Sequence, residues 1–288
     1  MPTQPRSGGV AIVVGIDGSP AGVQAAVWAV AESVSRGIPL RLVYVCGPDS
    51  DKSDSDGPRT PALALHTAAD AVTCANPAIR IEQVVMTGET VPALRAAAES
   101  AAMLCLGAAA PTTDGGGSPT ARALAVDPPC PVSIVRAVAS PDTGTRTAAH
   151  RPNNPGHSVG AVLVEVDLRS RSAAVLQQGV AQARLRAAPL LVLGNRAPPG
   201  SSETLHPEFR ADVDVRRWHS RYPDLDIKLI RADDGVLNYL VCQRDSIQLI
   251  VLGAGNREQV ATLLGPAGTT ILADTSCSIL IVDSQRLL

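Results

Sequence analysis

Aromatic side chains make up only 2% of this 288-residue chain, as three tyrosines, two tryptophans and one phenylalanine. That scarcity removes the stacking platforms on which single-strand nucleic-acid binders rely. Lysine is scarcer still, at Lys52 and Lys228 only, and neither follows a glycine, so a phosphate-binding P-loop is excluded. The net charge of −2 and the lack of a basic stripe argue against nucleic acid as a partner. The six cysteines (46, 74, 105, 130, 242, 277) form no C-x-x-C pair, and the five histidines give no i, i+4 metal pair. There is no G-x-S-x-G elbow, so a hydrolase of that type lacks its nucleophile. No apolar run approaches the roughly 18 residues of a membrane span. The polar stretch Met1–Gly9 lacks the apolar segment of a secretory leader. These absences lead to the expectation of a cytoplasmic protein with reduced, mostly buried cysteines.

What the chain does have is apolar material, 45% of residues, against 18% charged. Gly9–Ile16 is a β-branched run of the kind a strand buried on both faces needs. Asp17-Gly18-Ser19-Pro20 comes next, then a helical pattern to Arg36 closed by Gly37, with Ser19 placed to cap and Pro20 to start the helix. Further strands are expected at Leu40–Val45, Ile79–Met86, Met103–Leu106 and Pro131–Val135. Helices are expected around Pro61–Cys74, Val91–Ser100 and before the last strand. Strands alternating with helices imply a parallel sheet covered on both faces.

A Pro-, Ser-, Thr- and Gly-rich segment then interrupts the pattern, which restarts beyond it. Ala161–Val166 followed by Asp167 repeats the first strand and Asp17, and Pro189 repeats Pro39. Leu249–Gly253 repeats Leu104–Gly107, and Cys277 repeats Cys130. Features recurring in order at nearly one offset mark a duplicated domain. The expected division is residues 1–137, a linker at 138–158, and 159–288.

Two turns at strand ends are candidate binding elements, because ligands of doubly wound sheets bind at the carboxyl edge. One is the Gly-x-Asp turn at Asp17. The other is the glycine-rich Gly107–Ser118, whose backbone N–H groups and following helix suit a phosphate chain.

VVGIDGSP at Val13–Pro20, RGIPLRLVYV at Arg36–Val45 and the GS…CPVSIV of Gly117–Val135 resemble the universal stress protein family. The resemblance spans both halves. It implies two Rossmann-like (HUP-type) α/β domains, each a doubly wound five-stranded parallel sheet of order 3-2-1-4-5. It further implies ATP binding, with Asp17 and Ile16 at the adenine, Gly18 beside them, and Val45 giving backbone contacts to the base. The phosphates would lie on a Gly-x2-Gly-x9-Gly-Ser/Thr loop carried here by Gly107, Gly117 and Ser118. In related proteins the last strands pair across a two-fold axis. The resemblance therefore implies that Pro131–Val135 and Ser278–Val282 do so within this chain as a pseudo-dimer, with homodimerisation open.

The sequence departs from that pattern. Ala110 stands where the second loop glycine is expected, the loop is shortened, and Asp114 adds negative charge that Mg2+ would offset. In the second half Leu168-Arg169 replaces Gly-Ser, Asn256 replaces a glycine, and Pro266, which lacks the hydroxyl and backbone N–H a phosphate would use, follows Gly265. The second half is therefore read as degenerate. Three functions stay open: an ATP-responsive stress regulator acting on a protein partner, an interaction module that has lost nucleotide, and a slow ATPase. Two further motifs are read as solvated surface: the acidic stretch through Asp54-x-Asp56-Gly57, and the basic cluster Arg216, Arg217 and His219.

Overall fold

The computed structural model describes residues 9–47, 60–108, 118–136, 160–166, 173–195, 217–232, 235–243, 246–272 and 275–283. They divide into two compact units, one ending at Arg136 and one beginning at Gly160.

In the first unit the apolar run becomes β1 (Ile12–Ile16), the central strand, with four of its five residues buried. Helix α1 (Pro20–Arg36) starts where sequence placed it, with Pro20 in its first turn. Ser19 at the N-cap accepts a hydrogen bond from the Gly22 N–H, and Gly37 ends the helix in the left-handed conformation, φ 63°. Beyond it lie β2 (Leu40–Cys46), α2 (Pro61–Ala75), β3 (Ile81–Thr87), α3 (Thr90–Ala98), β4 (Met103–Ala108), α4 (Pro119–Val126) and β5 (Val132–Arg136). The strands lie side by side in the order β3-β2-β1-β4-β5, all parallel. The order reverses between β1 and β4, which places a crevice at their carboxyl ends.

The second unit repeats this order. It contains β6 (Ala161–Val166), α5 (Ala173–Leu185), β7 (Leu190–Asn195), β8 (Ile227–Ala232), α6 (Gly235–Gln243), β9 (Ile247–Gly253), α7 (Arg257–Leu263), α8 (Pro266–Ile271) and β10 (Ser278–Val282). Its order is β8-β7-β6-β9-β10, again parallel. Each unit is thus a doubly wound Rossmann-like domain of five strands, as expected.

Element edges moved by a few residues. The first strand begins at Ile12 rather than Gly9, and the third at Ile81 rather than Ile79. Pairing starts only where a neighbour reaches, and Ile12 and Ile81 both face Leu40 across its two edges. The cysteine expectation needs correction. Cys105, Cys130 and Cys277 are buried, but Cys46 is half-buried and Cys74 and Cys242 are exposed on helices. Among the described residues no helix is long and apolar enough to cross a membrane.

The outer strand pair carries a charged clasp. Arg41 and Glu82 are register partners on β2 and β3, and the Arg41 guanidinium donates to Glu82 at 2.9 Å while Arg80 donates at 3.0 Å. Partial burial works to raise the Glu82 carboxyl. The hydrogen bonds and charges of Arg41 and Arg80 together outweigh that burial and hold it below its ordinary value. A lowered carboxyl contributes stability that is present above the ordinary carboxylate range and lost as pH falls through the folded value. Glu82→Gln is therefore expected to cost under about 1 kcal/mol at neutral pH, with the loss shrinking towards zero in acid. Urea titrations of both proteins across that range check this; a penalty independent of pH would show that the ion pair is not its source.

Candidate functional site

The carboxyl edge of the first unit is built from short connections. Three residues, 17–19, join β1 to α1, and two, 88–89, join β3 to α3. Gly15 pairs with Leu106 and Ile16 with Tyr44. One step further along the strands, Ile16 is level with Gly107 and Asp17 with Val45. Ile16, Asp17, Gly18, Val45 and Gly107 thus meet at the β1/β4 switch point and its β2 flank. Ser118 caps the start of α4, accepting from the Ala121 N–H at 3.3 Å, and so also stands at a helix start on this edge. Gly117 lies outside the described residues.

Asp17 is held by its own turn. Its Oδ1 accepts from the Ser19 N–H at 2.9 Å and from the Ser19 hydroxyl at 2.6 Å, while the same hydroxyl accepts from the Gly22 N–H at 3.1 Å. This is an Asx turn feeding directly into a helix cap, and Gly18 supports it with φ 75°. The side chain is exposed, and its other oxygen, Oδ2, takes no hydrogen bond from the described residues. A fixed, water-facing carboxylate oxygen at a crevice is an acceptor for a hydroxyl or amino donor. Ser19, which sequence treated as a cap alone, is also what orients Asp17.

Ile16 is buried beneath this turn and Val45 is half-buried at the end of β2. The β2 end is fixed by a backbone bond from the Gly88 N–H to the Cys46 carbonyl at 2.9 Å, with Gly88 at φ 128°. The Val45 backbone therefore stands on a strand end tied to the next loop. Gly88 gave no signal in the sequence beyond marking a turn.

Gly107 has a reason independent of any ligand. A Cβ there would lie 2.3 Å from the carbonyl carbon and oxygen of Ala21 and 2.6 Å from the Gly22 nitrogen. The first turn of α1 rests directly on the end of β4, so only glycine fits. Gly22 is close in turn, since its own Cβ would meet Asp17 Oδ1 at 2.9 Å.

Among the described residues of the second unit, a Cβ at Gly253, the counterpart of Gly107, would meet a Val175 methyl at 3.2 Å. The unit's tight contact lies elsewhere, where a Cβ at Gly179 would be 2.1 Å from a Val164 methyl. The counterpart of Ser118 also shifts by one residue from the position expected of the sequence. Pro266 opens α8 as Pro119 opens α4, so Gly265 occupies the N-cap and offers no side-chain bond. The hydroxyl is missing at Gly265, not at Pro266. Asn256 caps α7, accepting from the Gln259 N–H at 3.4 Å. Asp167, Leu168 and Arg169 lie outside the described residues, as do Ala110 and Asp114. Among the described residues no group of His, Cys, Asp or Glu is arranged to hold a metal ion.

Gly107→Ala is expected to destabilise the first unit by about 1–3 kcal/mol, because the new methyl meets backbone rather than movable side chains. Gly255→Ala, with nothing within 4 Å, serves as the control and should stay within about 0.5 kcal/mol. Urea midpoints measure both; equal effects would mean that α1 is not seated on β4 as described.

The profile of the universal stress protein family matches residues 11–136. Two universal stress proteins of Mycobacterium tuberculosis are similar over nearly the whole chain. Rv2624c is 34% identical, covering 94% of this chain and 95% of its own length. Rv2028c is 35% identical, covering 96% and 97%. Among solved structures, a universal stress protein of Archaeoglobus fulgidus superposes with TM-score 0.60 at 13% identity, covering 95% of this chain and 96% of that one. At that identity the likeness speaks for the fold.

Proposed function

Because this chain belongs to the universal stress protein family, we propose that its first unit binds an adenine nucleotide, ATP, and acts as a nucleotide-responsive regulator of a protein partner. The observation that carries this reading is the state of Asp17. One oxygen is locked by Ser19, which fixes the side chain, and the other is left as an exposed acceptor at the switch point. An adenine nucleotide offers matching donors in its ribose hydroxyls and its amino group. Ile16 supplies an apolar floor, Gly18 lets the turn form, and Val45 offers backbone groups at the adjoining strand end. The Ser118 hydroxyl and the Gly107–Gly117 segment would face the phosphates, with Mg2+ offsetting the charge of Asp114. Occupancy would shift this edge between two populations, and only a ligand that favours one of them moves the balance.

The reading is one of binding, not catalysis. No lysine or histidine adjoins the proposed phosphate segment, so the groups that speed phosphoryl transfer are not supplied by that stretch. A second reading, an interaction module without nucleotide, draws on one observation. Gly107 is fully explained by the packing of α1, so this glycine by itself does not argue for phosphate.

The decisive variant is Asp17→Asn. Its side-chain oxygen can still accept from Ser19, keeping the turn, while the free acceptor becomes a donor. Gently purified protein, acid-treated and separated by chromatography, is expected to release close to one adenine nucleotide per chain. The variant should keep its melting temperature and lose at least about tenfold in affinity, in line with a hydrogen bond to a charged group. Wild-type protein that is empty and ignores millimolar ATP–Mg would leave the interaction module standing.

A further inference from the structure

Each unit has an outer strand next to its second one, β3 in the first and β8 in the second, and the two are finished differently. The Leu40 N–H donates to the Arg80 carbonyl at 2.9 Å and the Gly88 N–H to the Cys46 carbonyl at 2.9 Å. The even-numbered residues of β3 therefore turn their backbone toward β2, and Ile81, Gln83, Val85 and Thr87 turn theirs outward. Among the described residues nothing hydrogen-bonds to those outward groups. The side chains of Gln83, Val85 and Thr87 are exposed as well, Val85 to 51%. Tyr44, the register partner of Val85 on β2, is half-buried beside it.

The same alternation holds in β8, where the Leu190 N–H donates to the Asp226 carbonyl at 2.8 Å and the Ile227 carbonyl faces outward. There the outward carbonyl is taken, because the Nε2 of His219 donates to it at 2.8 Å. The helical turn of residues 217–221 that carries His219 is itself pinned. Trp218 stacks on Tyr222 with ring centres 5.4 Å apart, and the Arg184 guanidinium lies 5.4 Å over the Tyr222 ring. Lys228, exposed and paired with Asp226 at 3.0 Å, adds the kind of charge that deters pairing with a foreign strand. No such cover stands over β3 among the described residues. The bonds of the connection before it, Asn76 to Val72 and Ile79 to Asn76, stay within the connection and α2.

An open edge of seven residues, every one in register with β2, is a template for one more strand. Charge decides what that strand carries. At the start of β3, Arg41 and Arg80 share the one carboxylate of Glu82, which leaves one positive charge over, and the Arg80 side chain is 76% exposed. Just past the end of the strand stands Glu89, exposed and making no side-chain cap bond. The edge is thus positive at its start and negative at its end, with Val85 and Tyr44 as an apolar step between.

We propose that the outer edge of β3 is a docking site for an extended segment of a partner protein, about eight residues long, acidic where it meets Arg80, basic where it meets Glu89 and β-branched beside Val85. The outward N–H and C=O groups supply the affinity, and the end charges set the direction. The surface rests on the regulatory reading for the existence of a protein partner, but not for its geometry.

Two end-blocked synthetic peptides test this on the full-length protein: Glu-Thr-Val-Thr-Val-Thr-Val-Lys and its charge reversal, Lys-Thr-Val-Thr-Val-Thr-Val-Glu. Fluorescence anisotropy should show one binding at least about threefold tighter than the other, as two exposed ion pairs made rather than reversed imply. Arg80→Glu should abolish that preference. Val85→Pro removes an outward donor and leaves the β2 ladder intact, so it should weaken binding at least about tenfold. Should Val85→Pro fail to fold, the charge variant and the amides carry the test. Bound peptide should slow hydrogen exchange, followed by NMR, at the Gln83, Val85 and Thr87 amides. No binding of either peptide up to about 1 mM, equal binding of both, or protection elsewhere would each overturn the proposal. So would protection of the same amides that rises with protein concentration alone, which would make a second copy the occupant. Nucleotide release from the variants should match wild type, so failure of docking and failure of the nucleotide reading are told apart.

Discussion

The contact on which the first unit depends is the seating of α1 on the end of β4. The helix buries Gly22, Ala25, Ala26, Ala29, Glu32 and Ser33, a face mostly of small residues that permits a close approach. At its first turn the approach leaves no room for a Cβ on Gly107. Because the helix start cannot move, Ser19 cannot move either, and Asp17 is fixed through Ser19. The same contact that packs the core thus fixes the turn that carries the carboxylate. Packing and site geometry are one constraint here, expressed at two distances from the sheet.

In the second unit the described contacts between helix and sheet are distributed differently. Its order of strands is the same, and its strands are as deeply buried, with every residue of β6 and β10 inside. Yet α5 turns Val175, Leu176 and Val180 inward, and its closest approach has moved to Gly179, away from the strand ends. The fold tolerates such a shift because core stability depends on total buried apolar volume, whereas a fixed site depends on one local distance.

This difference explains what could be read from the sequence and what could not. The strands at Leu40, Ala161 and Ser278 were legible because short apolar runs rich in β-branched residues favour a buried parallel strand. The ends of α1 were legible because Ser19, Pro20 and Gly37 each act through local backbone chemistry. Asp17, Ile16 and Val45 could be named, and the register brings them to one edge. The locking of Asp17 by Ser19 was not legible, since a serine before a helix always reads as a cap and its second hydrogen bond depends on a turn angle. The packing role of Gly107 was hidden for a similar reason. A glycine beside a suspected phosphate loop looks like part of the loop, and only the position of Ala21 shows that it belongs to the core. The helix start at Gly265 is fixed by Pro266, which puts the cap one residue before the position the family pattern implies.

The contrast also bears on how the two halves can differ in function without differing in fold. A switch-point crevice is a property of strand order, and both units have that order. Whether the crevice presents a fixed acceptor is a property of the helix that opens beside it. In the first unit the cap hydroxyls of Ser19 and Ser118 stand at two helix starts on the same edge. In the second, the helix corresponding to α4 starts at Gly265 with no side-chain cap at all. Loss of a cap of this kind costs a helix about 1 kcal/mol, which a buried sheet can absorb. It costs the edge the hydroxyl that Ser118 supplies in the first unit. Stability therefore tolerates a bare helix start at this edge, while in the first unit the hydrogen-bonded chain Asp17–Ser19–Gly22 serves the helix cap and the placement of the carboxylate together.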